Sequence, residues 1–319
     1  MTRLLIGGYT GDKGAGDGIV VLDDDQVTAT IPAESPSWIA RHPELPVLYA
    51  VAETDDGQVR AWALDEDGVP AADLGTGDTG GAEPAHLTVD RSGRFLITAN
   101  YSGGSIAVHE LGPDGRIGRR TDLLTHTSHG DRPRQEQAHP HMARVAGEEV
   151  LVTDLGGDRI YRYRLSAEGR LIAGDVIATP AGSGPRHVLP VGDRFYVTAE
   201  LSGQVLTFDA GWQVLSAVPA SRAEGPNQPS ELVSNGGYLY VGNRGPDTVS
   251  VFSLDGDLPR YVTEVEVGQW PRHLALDGDL LYVASERSHQ LIVLRIDAAT
   301  GVPEAERTIS VPSPTVVLP

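Results

Sequence analysis

The chain has 319 residues, a formal net charge of -19 (44 acidic against 25 basic), no cysteine, 38 glycines and 22 prolines. The missing cysteines exclude disulfides, thiolate metal sites, iron–sulfur clusters and cysteine nucleophiles, and glycine and proline at this level argue against a mainly helical protein. An acidic chain repels nucleic acid and anionic membranes, so neither is an expected partner. The opening MTRLLIGGYTGDKG has no apolar signal-peptide stretch, and no run of 18 apolar residues occurs, so a soluble cytoplasmic protein is expected.

In chain order, LLIGGYTGDKGAGDGIVVLD from Leu4 reads as two strands with no partner strand before them. Six segments of one layout follow, each a proline, a short apolar run, a turn, an aliphatic strand, a polar residue, a Gly/Asp turn and an alternating strand. They begin at Pro36, Pro84, Pro140, Pro185, Pro229 and Pro271, spaced 48, 56, 45, 44 and 42 residues apart. PSWIARHPELPVLYAVAETDDGQVRAWAL and PRHLALDGDLLYVASERSHQLIVLRI are the first and last of them. Each contains three strand signals and room for a fourth, such as YVTEVEV at 261–267. A four-stranded unit repeating at this period is a β-propeller blade. PTVVLP, from Pro314, is a lone anchor strand, 43 residues after Pro271. Paired with the N-terminal strands it would complete a seventh blade and remove open sheet edges. The expectation is an all-β, seven-bladed β-propeller forming a single domain over 1–319.

Equivalent positions of a propeller lie on rings around its channel. One set just after the anchor proline contains Ser37, Ala85, His141, Arg186, Ser230 and Arg272. The next residue gives Trp38, His86, Met142, His187, Glu231 and His273. A further set closes each aliphatic strand: Tyr9, Glu53, Asn100, Asp154, Glu200, Arg244 and Glu286. Any one of these could serve turn hydrogen bonds alone. Together, His139, His141, Arg186, Glu200, Arg244 and Arg272 bring several guanidiniums, a carboxylate and a histidine to successive repeats, the makings of an anion site with a base. QEQAHPH, residues 135–141, follows the His- and Arg-rich HTSHGDRPR in the longest anchor spacing, where an extended loop often carries function. His139 and His141 would face the same way on a strand, but with no cysteine and no HExxH motif, metal catalysis is not expected. Gly75–Gly80 fits G-x-G-x-x-G without a surrounding βαβ unit and reads as an inter-blade loop, not a nucleotide site. The run Asp23–Asp25 reads as a solvated turn. No G-x-S-x-G elbow supports a serine hydrolase.

The ordered set QEQAHPH, DLGGDRIYRY, GSGPRH, TAELSGQV, PSEL and LYVGNRGPD, with LLIGGYT and GRFLITANYSGGSIAV before it, resembles the lactonase family of seven-bladed propellers. That family includes bacterial 6-phosphogluconolactonases and fungal carboxymuconate-lactonizing enzymes. The resemblance covers essentially the whole chain and implies a metal-free, cofactor-free site with His141 (His139 as rival), Arg186, Glu200 and Arg244 as catalytic residues. His139, His187, Arg272, Glu53 and Asn100 are the expected substrate contacts. Loops such as VAGEEV are shorter than in many members, which leaves the specificity loops open. The implied reaction is hydrolysis of an anionic sugar-acid lactone, 6-phospho-D-glucono-1,5-lactone, in the pentose phosphate pathway, by a monomer or weak homodimer. His141 or Glu200 would take the water proton, Arg186 would face the oxyanion, and Arg244 and Arg272 would hold the phosphate. The alternatives are a muconolactone-forming cycloisomerase and a non-catalytic protein-binding propeller, the latter lacking the WD repeat.

Overall fold

A computed structural model describes residues 3–319. Its strands form seven four-stranded antiparallel sheets, and the only helical element among the described residues is the 3-10 turn Gly11–Lys13. No helix among them is long and apolar enough to cross a membrane. The anchor proline opens the first strand of five sheets, at Pro84, Pro140, Pro185, Pro271 and Pro314. Proline is tolerated there because the first residue of a strand can lack a ladder N–H. The expected closure is present: Pro314–Leu318 pairs with Arg3–Gly8, which continues into Gly18–Asp23 and Gln26–Pro32.

The chain divides into two compact units. The first comprises the residues up to Thr30 with Pro185–Pro319, and holds the closed sheet just described and the three sheets that start at Pro185, Gln228 and Pro271. Its cores lie between neighbouring sheets. Leu4, Ile6, Val20 and Leu22 pack on Tyr282, Leu291 and Val293, while Tyr240, Val249 and Val251 pack on Leu274, Leu281 and Val283. The second unit, Ile31–Gly184, holds the sheets starting at Ile39, Pro84 and Pro140, with Phe95, Ile97, Ile106 and Val108 against Ala143, Val150 and Val152. Each Val, Leu, Ile or Phe among them, taken fully out of water, contributes about 1.5–3 kcal/mol. Tyr49 and Tyr240 occupy equivalent second-strand positions, fully buried, and their hydroxyls donate to the carbonyls of Gly115 and Gly301 at 2.7 and 3.0 Å. Burial thus satisfies the one polar atom of each ring.

Fourth strands are mostly exposed, as in Gln26–Pro32 and Leu171–Ala178. The structure corrects the sequence reading at the glycine motif: Gly75 and Gly77 lie inside the edge strand Pro70–Asp78, not in a loop. Gly75, at φ +100, sits where the pairing with Gln58–Leu64 slips, and a glycine accommodates such a bulge at no steric cost. The acidic run is a tight hairpin turn, but two of its members are engaged: Asp23 pairs with Arg3 and Asp25 with Arg307.

Candidate active site

A local irregularity places the residues after the anchor prolines. The ladder slips between Pro140 and Met142, between Pro185 and His187, and between Pro271 and His273. One residue is left out of register each time: His141, Arg186 and Arg272. A bulged residue has no ladder partner and its side chain is re-aimed. The same slip after Pro84 leaves out Ala85, so the device belongs to the repeat and only its occupant is special.

In the first unit, Arg186, Glu200 and Arg244 come together. All three are buried, at 3%, 1% and 4% exposure. Arg244 Nη2 donates to Glu200 Oε2 at 2.6 Å, and Arg186 Nε lies 3.1 Å from the same oxygen. Backbone carbonyls orient both guanidiniums: Arg186 Nη1 donates to Ser230 O at 2.8 Å, and Arg244 Nε to Gln228 O at 3.0 Å. Two cations thus share one carboxylate oxygen. Burial, and next the charge of Arg244, push Arg186 down to about 9, so it is still charged at neutral pH. A buried group of this kind, with surplus positive charge and fixed N–H directions, favours an anion or an oxygen that becomes one.

Beside it, His187 Nδ1 is 3.0 Å and His273 Nε2 3.5 Å from Glu231 Oε2. Burial pushes His273 down to about 4 against the opposing pull of Glu231. The neutral ring accepts the backbone N–H of Val317 on Nδ1 at 3.4 Å, so the closing strand docks on this histidine. Arg272 lies 3.6 Å from Glu286, donates to the Tyr9 hydroxyl, and has its guanidinium carbon 4.7 Å from the Tyr9 ring centre.

In the second unit, His139 and His141 flank Tyr101. His139 stacks on that ring at 4.5 Å, and His141 meets it edge-on at 5.6 Å. His139 Nδ1 is 3.0 Å from the Tyr101 carbonyl, and its backbone N–H donates to Asp154 Oδ1 at 2.7 Å. The loop 126–139 is irregular, as the spacing implied. It is pinned by the fully buried Gln135, whose Nε2 donates to Leu155 O at 2.9 Å. Among the described residues no group of three or more His, Asp or Glu side chains is placed to hold a metal ion.

Asn100 is fully buried, its amide donating to Thr79 O and Ser105 Oγ at 3.2 and 3.0 Å. Glu53 is 8% exposed, and its backbone N–H donates to Ser35 O at 3.1 Å. Sequence reasoning left out Tyr101, between the two histidines, and Trp270, which sits beside Arg244 with the guanidinium carbon 5.4 Å from the indole centre. The only signal available was adjacency: Tyr101 follows a ring position, and Trp270 precedes an anchor proline.

Residues 3–319 match the family described as "Lactonase, 7-bladed beta-propeller". The chain is 30% identical to a 6-phosphogluconolactonase of Bacillus subtilis, over 99% of this chain and 98% of the relative. Among solved structures, a putative 6-phosphogluconolactonase from Bacteroides fragilis superposes with a TM-score of 0.91 at 27% identity, covering 99% of this chain and 97% of that one. A periplasmic gluconolactonase from Pseudomonas aeruginosa gives 0.90 at 28%, covering 99% and 98%. With seven four-stranded sheets as its blades, the chain belongs to the lactonase family of seven-bladed β-propellers.

Proposed function

We propose that this enzyme hydrolyses 6-phospho-D-glucono-1,5-lactone to 6-phosphogluconate, in the cytoplasm and as part of the pentose phosphate pathway. The observation that carries the reading is the buried pair of guanidiniums sharing one oxygen of Glu200. Attack of water on the lactone carbonyl builds negative charge on its oxygen. Arg186, left out of the ladder and held by Ser230 O, is the group assigned to that oxyanion. A donor fixed before the reaction loses no reorganisation energy when the charge appears. Glu200 accepts charge-assisted contacts from both guanidiniums on one oxygen. Its assigned role is to fix Arg186 and Arg244. The base is assigned to His141, which the repeat register puts at the same position in its blade as Arg186 in the next. His139, on the other side of Tyr101, together with His187, Arg272, Glu53 and Asn100, completes the proposed set of substrate contacts. The names of relatives in Bacillus subtilis and Bacteroides fragilis support the phosphorylated substrate.

The test is hydrolysis of freshly generated 6-phosphogluconolactone, corrected for spontaneous opening. Arg186→Ala is expected to lower kcat by about 10²–10³ and His141→Ala by about 10²–10⁴. A folded wild-type protein with no rate above background would overturn the reaction. Undiminished turnover in both variants would overturn the residue assignment.

A further inference from the structure

The loop HTSHGDRPR, residues 126–134, ends on a strained residue. Arg134 holds a backbone φ of +71, a left-handed conformation that a long side chain enters only when its surroundings over-determine it. Left-handed residues just before an anchor proline, such as Glu83 and Ser313, belong to the repeat. Arg134 does not, since it stands six residues ahead of Pro140. What its backbone achieves is a contact: Arg134 Nη2 donates to the Tyr101 hydroxyl at 2.9 Å. Further along the same loop, Gln137 Nε2 donates to Ser102 O at 2.9 Å, so two loop side chains grip residues 101–102. Tyr101 is fixed from its other sides as well. Its N–H donates to Glu83 O at 2.9 Å, and its carbonyl faces His139 Nδ1 at 3.0 Å. Its ring meets His139, stacked at 4.5 Å, and His141, edge-on at 5.6 Å. Tyr101 is only half-buried, so solvating its hydroxyl does not require a strained arginine.

Opening a lactone breaks the bond from the carbonyl carbon to the ring oxygen, and that oxygen departs as a strongly basic alkoxide unless it is given a proton. Arg186 is assigned to the carbonyl oxygen and His141 to the incoming water, and neither serves the oxygen that leaves. A guanidinium carries donors only, so the Arg134 contact occupies a lone pair of the phenol oxygen and turns the Tyr101 O–H away from Arg134. It also sets a cation where negative charge develops as that proton departs. We propose that Tyr101 is the general acid of the lactone opening and that Arg134 is the residue that positions it. The water oxygen bonds to the carbonyl carbon while His141 takes one of its protons. The bond to the ring oxygen then breaks, its electron pair stays on that oxygen, and the Tyr101 proton joins it. The phenolate recovers a proton from the protonated imidazole of His141 beside it. One water is consumed and both side chains return to their starting state. The proposal rests on the lactonase reading above and supplies the proton that the departing oxygen needs.

The experiment compares kcat and KM of the full-length protein on the 1,5-lactone and on its 5-thio analogue, whose thiolate leaves without a proton. Tyr101→Phe keeps the ring against His139 and removes only the hydroxyl. It should lower kcat on the oxygen lactone by about 10²–10⁴ with little change in KM, and leave kcat on the thiolactone nearly unchanged. Arg134→Met should lower kcat on the oxygen lactone by about tenfold. Arg134→Lys should restore most of it, because the contact uses a single N–H, and a loop held for packing alone would show no such rescue. Equal losses on the two substrates, a raised KM with kcat kept, or undiminished kcat in Tyr101→Phe would each overturn the acid. Wild type without lactone turnover would sink the lactonase reading and the acid with it, whereas wild-type turnover matched by Tyr101→Phe would sink the acid alone.

Discussion

Replacing Glu200 by Gln keeps the side-chain volume and removes the charge between Arg186 and Arg244. The carboxylate is 1% exposed and lies 2.6 and 3.1 Å from the two guanidiniums. Removing one partner of a buried ion pair costs about 3–5 kcal/mol, because the charge left behind is still desolvated. Here two like charges stay behind and repel. With an unfolding entropy of about 2.1 cal/mol/K per residue, that loss lowers Tm by about 5–7 °C for a chain of this length. Arg186→Met should cost less, because it removes the surplus cation and leaves Glu200 bonded to Arg244. Differential scanning calorimetry of the wild type and both variants, in phosphate-free buffer, reads the order. Adding inorganic phosphate at about one hundred times its dissociation constant should return about 2.7 kcal/mol to Glu200→Gln. If Glu200→Gln melts within a degree of wild type, or if Arg186→Met costs as much, the cluster is not an arginine pair neutralised by one acid and the anion site fails with it.

Two further expectations concern stability. Burial pushes His126 and His273 down to about 4, whereas an unfolded histidine titrates near 6.5. The unfolded chain therefore takes up these protons first as pH falls, so the stability contributed by each neutral ring is complete above about pH 6.5 and lost on the way down to 4, at most about 1.4 kcal/mol per pH unit per group. Urea midpoints at pH 7.5, 5.5 and 4.5 should fall less steeply in His126→Gln than in wild type, and parallel slopes would refute the assignment. A backbone expectation compares two left-handed glycines. Gly147, at φ +66, has nothing within 4 Å of the place a Cβ would take, whereas at Gly57, with φ +42, a Cβ would stand 1.9 Å from Gly81 O. Gly147→Ala should cost about 1–2 kcal/mol and Gly57→Ala about 3 kcal/mol or more. Equal unfolding midpoints for the two variants would contradict the clash.

The fold was legible because its repeat is written in residues whose effect is local. A proline opens a strand, an aliphatic run fills the space between two sheets, and PTVVLP is so plainly an anchor strand without followers that its pairing with LLIGGYT could be read from both ends. Fourth strands such as Leu171–Ala178 are exposed over most of their length and leave only a faint pattern. The same cause hid Gly75 and Gly77 inside Pro70–Asp78, where glycine looks like a loop until its partner strand is seen. Asp154 and Glu200 occupy equivalent repeat positions, yet their neighbours give them different work. Asp154 Oδ1 accepts the backbone N–H groups of His139, Gly156 and Gly157, a turn-closing arrangement. Glu200 faces two guanidiniums from other strands. The glycine pair after Asp154 is visible in the sequence and could have separated the cases. Trp270 had no such signal: its ring lies beside Arg244 and Arg287, 26 residues before and 17 after it. Local chemistry announces where a propeller places its polar residues; which of them act together is decided by contacts between strands, and those exist only once the chain has folded.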